Sequence, residues 1–200
     1  MPMRNETITT PVGIAKYPHL NKPDTKFDKE GVYVVSLIFD KEKAAGLVAK
    51  MKGILQDFCI SNNEKRKAPL PIKDVTNAEG EPTGEIEIKF KLRAIGRKGN
   101  DTWEQKPLLV DSKRTPTDAP VGGGSKLKVG AEIVPYMSPR DGCGITMRLK
   151  AVQIIELVKY SPNGGLAAWE FTEEEGFVSD GETQEDNVVP VADGEDNYDF

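Results

Sequence analysis

The chain predicts a mainly β protein, a small barrel plugged by one amphipathic helix and followed by an acidic tail. Three observations carry this. Segments 31–39, 85–95 and 144–158 have strand character, the first rich in β-branched and aromatic residues and the other two alternating apolar with polar. A single segment, 43–60, has helical periodicity. The last thirty-one residues, Glu170 to Phe200, hold twelve acidic side chains and no Lys or Arg. A tail so polar cannot bury enough apolar surface to offset its ordering entropy and is expected to be disordered.

Thr10–Ala15 is a weak opening strand, and Lys16 to Phe27 reads as a short proline-bounded loop. Gly31–Phe39 (GVYVVSLIF) reads as a strand buried on both faces. In Lys43–Ile60, Ala44, Leu47, Val48, Met51, Ile54, Leu55 and Phe58 recur on one helical face, with Lys50, Lys52, Gln56 and Asp57 outside. Ser61–Gly84 lacks periodicity and carries three Pro and two Gly, so it is expected as a long exposed connection. From Glu85 to Ile95 the alternation is clean. Ile86, Ile88, Phe90, Leu92 and Ala94 share one face; Glu87, Lys89, Lys91 and Arg93 share the other. Lys106–Asp111, Lys126–Ser138 and Gly144–Val158 supply further strands, the last two joined by a Pro139–Gly142 turn. In the final strand Ile145, Met147, Leu149 and Ala151 face in and Thr146, Arg148 and Lys150 face out; Ala151–Val158 fits a covered strand or a helical turn. Five or six strands with one helix suit a small barrel. The division expected is one folded domain over 1–160 and a flexible tail over 161–200.

Charge splits the chain in the same place. All 27 basic residues lie at or before Lys159, against 20 of the 32 acidic ones before Glu170, so a formal +7 body precedes a −12 tail. The overall −5 hides this dipole. Neither a membrane span nor a signal peptide is legible, which places the protein in the cytoplasm. Cys59 and Cys143 sit in or beside apolar segments and read as free buried thiols. With His19 as the one histidine, neither a zinc set nor a nucleophilic triad can be assembled, and no cofactor is expected. Gly122–Gly124 before Ser125 and Lys126 does not make a phosphate loop.

Chemistry is left with cations and aromatics. Between Lys89 and Arg114 lie eight basic residues (Lys89, Lys91, Arg93, Arg97, Lys98, Lys106, Lys113 and Arg114) against three acidic ones, with Trp103 among them. Basic side chains neutralise phosphates, and an exposed Trp stacks on any base. A Trp packed at a barrel edge above a merely solvated sheet face is the bland alternative. A second cluster, Lys16, Tyr17, His19, Lys22 and Phe27, again interleaves rings with charge; here the alternative is that Tyr17 and Phe27 anchor a loop to the core. An interaction protein whose acidic tail mimics DNA is the competing class, and the +7 body argues against it.

Ala15–Pro23 (AKYPHLNKP), the apolar strand Tyr33–Phe39 and the Lys-rich helix after it resemble the opening of a bacteriophage single-stranded DNA-binding protein family. Pro107–Asp111 (PLLVD), Lys128–Tyr136 (KVGAEIVPY) and Gly144–Ile155 (GITMRLKAVQII) resemble its later blocks, and the acidic end at Asp199 and Phe200 is similar to that of its T7-type members. The likeness spans most of residues 8–158 in diffuse blocks. It implies a five-stranded OB-like barrel and sequence-independent binding of single-stranded DNA in replication, recombination or repair, without enzymatic activity. Tyr136 and Arg148, within the matching blocks, join the candidate DNA contacts. The resemblance further implies that Asp193, Glu195, Asp196, Tyr198, Asp199 and Phe200 recruit phage or host replication proteins, with monomer and dimer both open. The chain departs from the standard OB plan in placing its helix after the second recognisable strand rather than between the third and fourth.

Overall fold

A computed structural model describes residues 5–159, which form ten strands and one helix: β1 (Glu6–Thr9), β2 (Gly13–Asp24), β3 (Val32–Asp40), α1 (Lys41–Ser61), β4 (Ile72–Thr76), β5 (Pro82–Arg93), β6 (Ile95–Lys98), β7 (Asp101–Glu104), β8 (Leu108–Val110), β9 (Lys126–Ser138) and β10 (Gly142–Glu156). Five of the strands close a ring. β2 pairs β3 and β3 pairs β5 antiparallel, β5 pairs β10 parallel, and β10 pairs β9 and β9 pairs β2 antiparallel. Two of the seams are short, Phe90–Lys91 against Met147–Arg148 and Gly13–Ile14 against Lys126–Leu127, so this is the partly open barrel of the OB type. β1 lies on β9, β8 on β10 and β4 on β5; β6 and β7 form a separate two-stranded hairpin.

The inward residues are the ones alternation selects. Ile86, Ile88, Phe90 and Leu92 of β5 meet Val35, Leu37 and Phe39 of β3, Leu127, Val129, Ala131 and Ile133 of β9, and Ile145, Met147 and Leu149 of β10, all buried. After Leu149 the β9–β10 register slips, which leaves Ala151 half-buried and turns Val152 and Ile154 inward. Ala151–Glu156 is therefore strand, not helix. α1 starts directly from β3: Asp40 caps it, its Oδ1 accepting from the Glu42 N–H at 3.1 Å. Ala44, Met51, Leu55 and Cys59 are buried, and the helix packs on β10, β3, β9 and β5, plugging the barrel.

The structure corrects several expectations. Lys16–Asp24 is not a loop but most of β2, with register breaks around Lys16–His19 and a left-handed Tyr17 (φ 49°). Ser61–Gly84 contains β4, a hairpin partner of β5 too short and exposed to show a pattern. β3 is not buried on both faces: Tyr33, Val35, Leu37 and Phe39 are covered, whereas outward-facing Val32, Val34 and Ile38 are half-exposed and only Ser36 on that side is buried. The strand total exceeds six because β1, β4, β6 and β7 are exposed four- or five-residue edges. Cys59 and Cys143 are free and buried as expected, but packing of α1 on β10 makes them neighbours. Burial, together with the Cys59 thiol beside it, pushes the Cys143 thiol up to about 11.

Candidate nucleic-acid interface

The ring's outer surface is assembled by register. On β5 the residues alternate with the core set, so Lys89, Lys91 and Arg93 are exposed and Glu87 half-buried. β10 runs beside them with Arg148 directly opposite Lys91. Like charges so placed repel, and the sequence supplies a carboxylate to relieve them. Glu132, the β9 partner of Arg148, accepts from Arg148 at 3.3 Å and lies 3.4 Å from Lys150. Lys89, Lys91 and Arg93 have no ion-pair partner among the described residues.

Beside this strip stands the β6–β7 hairpin. Its turn contains Gly99 in the left-handed region (φ 62°), and Gly96 lies opposite Trp103. Trp103 lies against Gly96 so closely that a β-carbon there would collide with the indole, which is 47% exposed. Between hairpin and barrel is a cleft of about 810 Å³ lined by Lys91, Arg93, Arg97, Lys98, Trp103, Arg148 and Lys150, with Asp28, Gln105 and Thr146 among its neutral and acidic edges. Six of the predicted residues thus converge. Lys150 was absent from the candidates, although it shares the outward alternation of Arg148 and that signal was sufficient to find it.

The remaining candidates lie elsewhere. Lys16 sits on the same outward face at β2, where it donates to Glu87 at 3.1 Å. That bond holds Lys16 above the ordinary lysine range. Burial pushes the Glu87 carboxyl up, but hydrogen bonds from Ser36 and Lys16 outweigh it and hold the group below its usual value. Tyr17 is 74% and Phe27 91% exposed, so neither anchors a loop to the core. Each ring carries a lysine nitrogen, Lys16 at 5.5 Å and Lys26 at 5.6 Å from the centroid. His19 and Lys22 are exposed on β2. Tyr136, on the outward alternation of β9, lies across its cross-strand partner Gly144 and is 41% exposed. Lys106 donates to Asp118 at 3.0 Å, and Lys113 and Arg114 sit in the turn where Asp111 accepts from the Lys113 and Thr115 N–H groups. None of these lines the cleft. Asp193, Glu195, Asp196, Tyr198, Asp199 and Phe200 lie outside the described residues. Among the described residues no cluster of His, Cys, Asp and Glu is built to hold a metal, and no helix is long and apolar enough to cross a membrane.

A partly open OB-type barrel with a cationic outer strip and flanking exposed rings is the architecture of an oligonucleotide-binding module. Comparison with known proteins gives the particular relatives. The chain is 28% identical over 205 residues to the single-stranded DNA-binding protein of Escherichia phage T7, covering 90% of this chain and 88% of that one. To the single-stranded DNA-binding protein of Enterobacteria phage T3 it is 27% identical, covering 91% and 89%. The crystal structure of gp2.5, the single-stranded DNA-binding protein encoded by bacteriophage T7, superposes with a TM-score of 0.63 at 26% identity, covering 88% of this chain and all of that one. The single-stranded DNA-binding protein of bacteriophage Enc34 in complex with ssDNA shares the fold, with a TM-score of 0.53 at 19% identity over 76% of this chain and 88% of that one. No family model matches. The chain is thus similar, over nine-tenths of its length, to the single-stranded DNA-binding proteins of T7-type phages.

Proposed function

We propose that the protein binds single-stranded DNA without regard to sequence, acting non-enzymatically in the replication, recombination or repair of phage DNA in the cytoplasm of an infected bacterium. The observation that carries this is the cleft between β5, β10 and the β6–β7 hairpin, where Lys91 and Arg93 face solvent without an ion-pair partner among the described residues and Trp103 offers a ring from the hairpin side. Unpaired cations take phosphates, and an indole stacks on a base of any identity. The opposed Lys91 and Arg148 acquire a common partner when a phosphate enters between them. Lys89, Tyr17 and Phe27 extend the contact surface beyond the cleft, and Tyr136 supplies a further ring on the outward face.

The domain division at residue 160 and the role of the tail belong to the same proposal. The −12 segment competes with DNA for the basic face and, through its acids and Phe200, recruits phage or host replication proteins.

Titration with poly-dT, read by tryptophan fluorescence at several salt concentrations, tests the central reading. Several phosphate contacts give a log–log salt slope of a few units at about −0.7 per phosphate, and Lys91→Gln with Arg93→Gln lowers both slope and affinity. Wild-type affinity and slope in that double variant would remove the cleft as the site.

A further inference from the structure

The β6–β7 hairpin is poorly held. It joins no strand of the barrel sheet, and every residue of β7 is exposed. Its root is fixed where Gln105 donates its N–H to Ala94 and its side-chain amide to Arg93, each at 2.8 Å. Toward the tip one ion pair among the described residues reaches across, from Arg97 to Glu30 in the connection between β2 and β3. The two ends of that pair differ in kind. Glu30 is preset: its N–H bonds the Asp28 carboxylate at 3.1 Å, the Gly31 N–H bonds the Asp28 carbonyl at 2.8 Å, and Gly31 occupies the left-handed region (φ 85°), so the carboxylate is carried on a closed turn. Arg97 lines the cleft and rides on the hairpin together with Trp103.

We infer that Glu30 is a positioning residue and internal competitor for the nucleic-acid site: its carboxylate holds Arg97, and with it the Trp103-bearing hairpin, until a backbone phosphate replaces it. This rests on the reading of the cleft as the strand-binding site. A carboxylate and a phosphate diester offer a guanidinium the same pair of acceptor oxygens, so exchange costs Arg97 no hydrogen bond. Binding then releases the hairpin to settle its indole against a base. Both ends of the pair are about half exposed, so the restraint is weak enough to be exchanged at each binding event.

The test is a double-mutant cycle in full-length protein carrying Trp169→Phe, which leaves Trp103 as the sole tryptophan. Glu30→Gln should raise poly-dT affinity at low salt by up to about fivefold, the equivalent of one exposed ion pair, with the gain fading as salt rises. Arg97→Gln should lower affinity, and adding Glu30→Gln to it should then change nothing. An equal gain from Glu30→Gln in both backgrounds would mean simple repulsion of DNA by an acid and would overturn the proposal. In the DNA-free protein, Glu30→Gln should lower the fluorescence anisotropy of Trp103, and an unchanged value would also overturn it. If the wild type fails to bind poly-dT, the cleft reading falls, while the anisotropy arm still decides whether Glu30 restrains the hairpin.

Discussion

Trp103 and Gly96 have to be considered as one unit, because the indole occupies the space a side chain at position 96 would need. Trp103→Ala should cost about 1–3 kcal/mol of poly-dT affinity while leaving the thermal midpoint nearly unchanged, since the residue is half exposed and lies outside the buried core. Gly96→Ala should weaken binding with Trp103 still present, with a red-shifted emission reporting the displaced ring. Wild-type affinity in both variants would take Trp103 out of the interface. Tyr17 and Phe27 are still more exposed, and a titration of Tyr17→Ala and Phe27→Ala should show the same 1–3 kcal/mol loss wherever the ring meets a base. For Trp103, Tyr17 and Phe27 the sequence leaves both readings open, a packed ring or one that faces solvent. Tyr33 lies in an apolar strand and Phe90 in an alternating one, which place both inside; Tyr17 has a left-handed backbone where the β2–β3 register breaks, and Trp103 lies on a glycine across the hairpin, neither visible to a count of neighbours in sequence.

Among the elements, those with a full apolar period were read correctly. β5, β9, β10 and α1 each bury one face over many residues, so their pattern is strong. β1, β4, β6 and β7 bury almost nothing, and Lys, Pro and Asn in β2 imitate a loop because its outer face is solvated. The cleft followed the same rule. Outward alternation gave Lys91, Arg93 and Arg148, but their meeting depends on a parallel β5–β10 pairing between residues far apart in the chain. α1 offers a clean stability test. Gly46 and Gly53 face open space, so Gly53→Ala should stabilise the fold by about 0.4–1 kcal/mol in denaturant melts, with DNA affinity unchanged. After α1, Glu64 accepts from the Arg66 side chain and backbone N–H, which hold its carboxyl at about 2. A carboxyl held low in the folded state stabilises above its ordinary value of 4.5 and loses that contribution as pH falls toward 2. Melts of Glu64→Gln across that window should show a shallower acid loss than wild type.

For the whole molecule, the decisive quantity is the opposition of a +7 body and a −12 end. Deleting residues 170–200 should raise poly-dT affinity at low salt, because a tethered competitor acts at an effective concentration in the mM range, and the gain should shrink as the screening length falls toward about 8 Å. Equal affinities for the two forms at low salt would leave the tail as a solubility appendage. Removing Phe200 alone should spare DNA binding and weaken capture of replication proteins in a pull-down. Ring closure also sets an order of events during synthesis. β10 supplies the parallel partner of β5, the long partner of β9 and the seat of β8, yet it is the last strand of the barrel to leave the ribosome. At roughly 5–20 residues per second, the paired β3 and β5 wait several seconds with Val35, Leu37, Ile88 and Phe90 uncovered. A nascent chain halted before Gly142 therefore exposes two apolar strand faces to whatever is nearby, and its yield, more than that of the finished protein, should depend on chaperones.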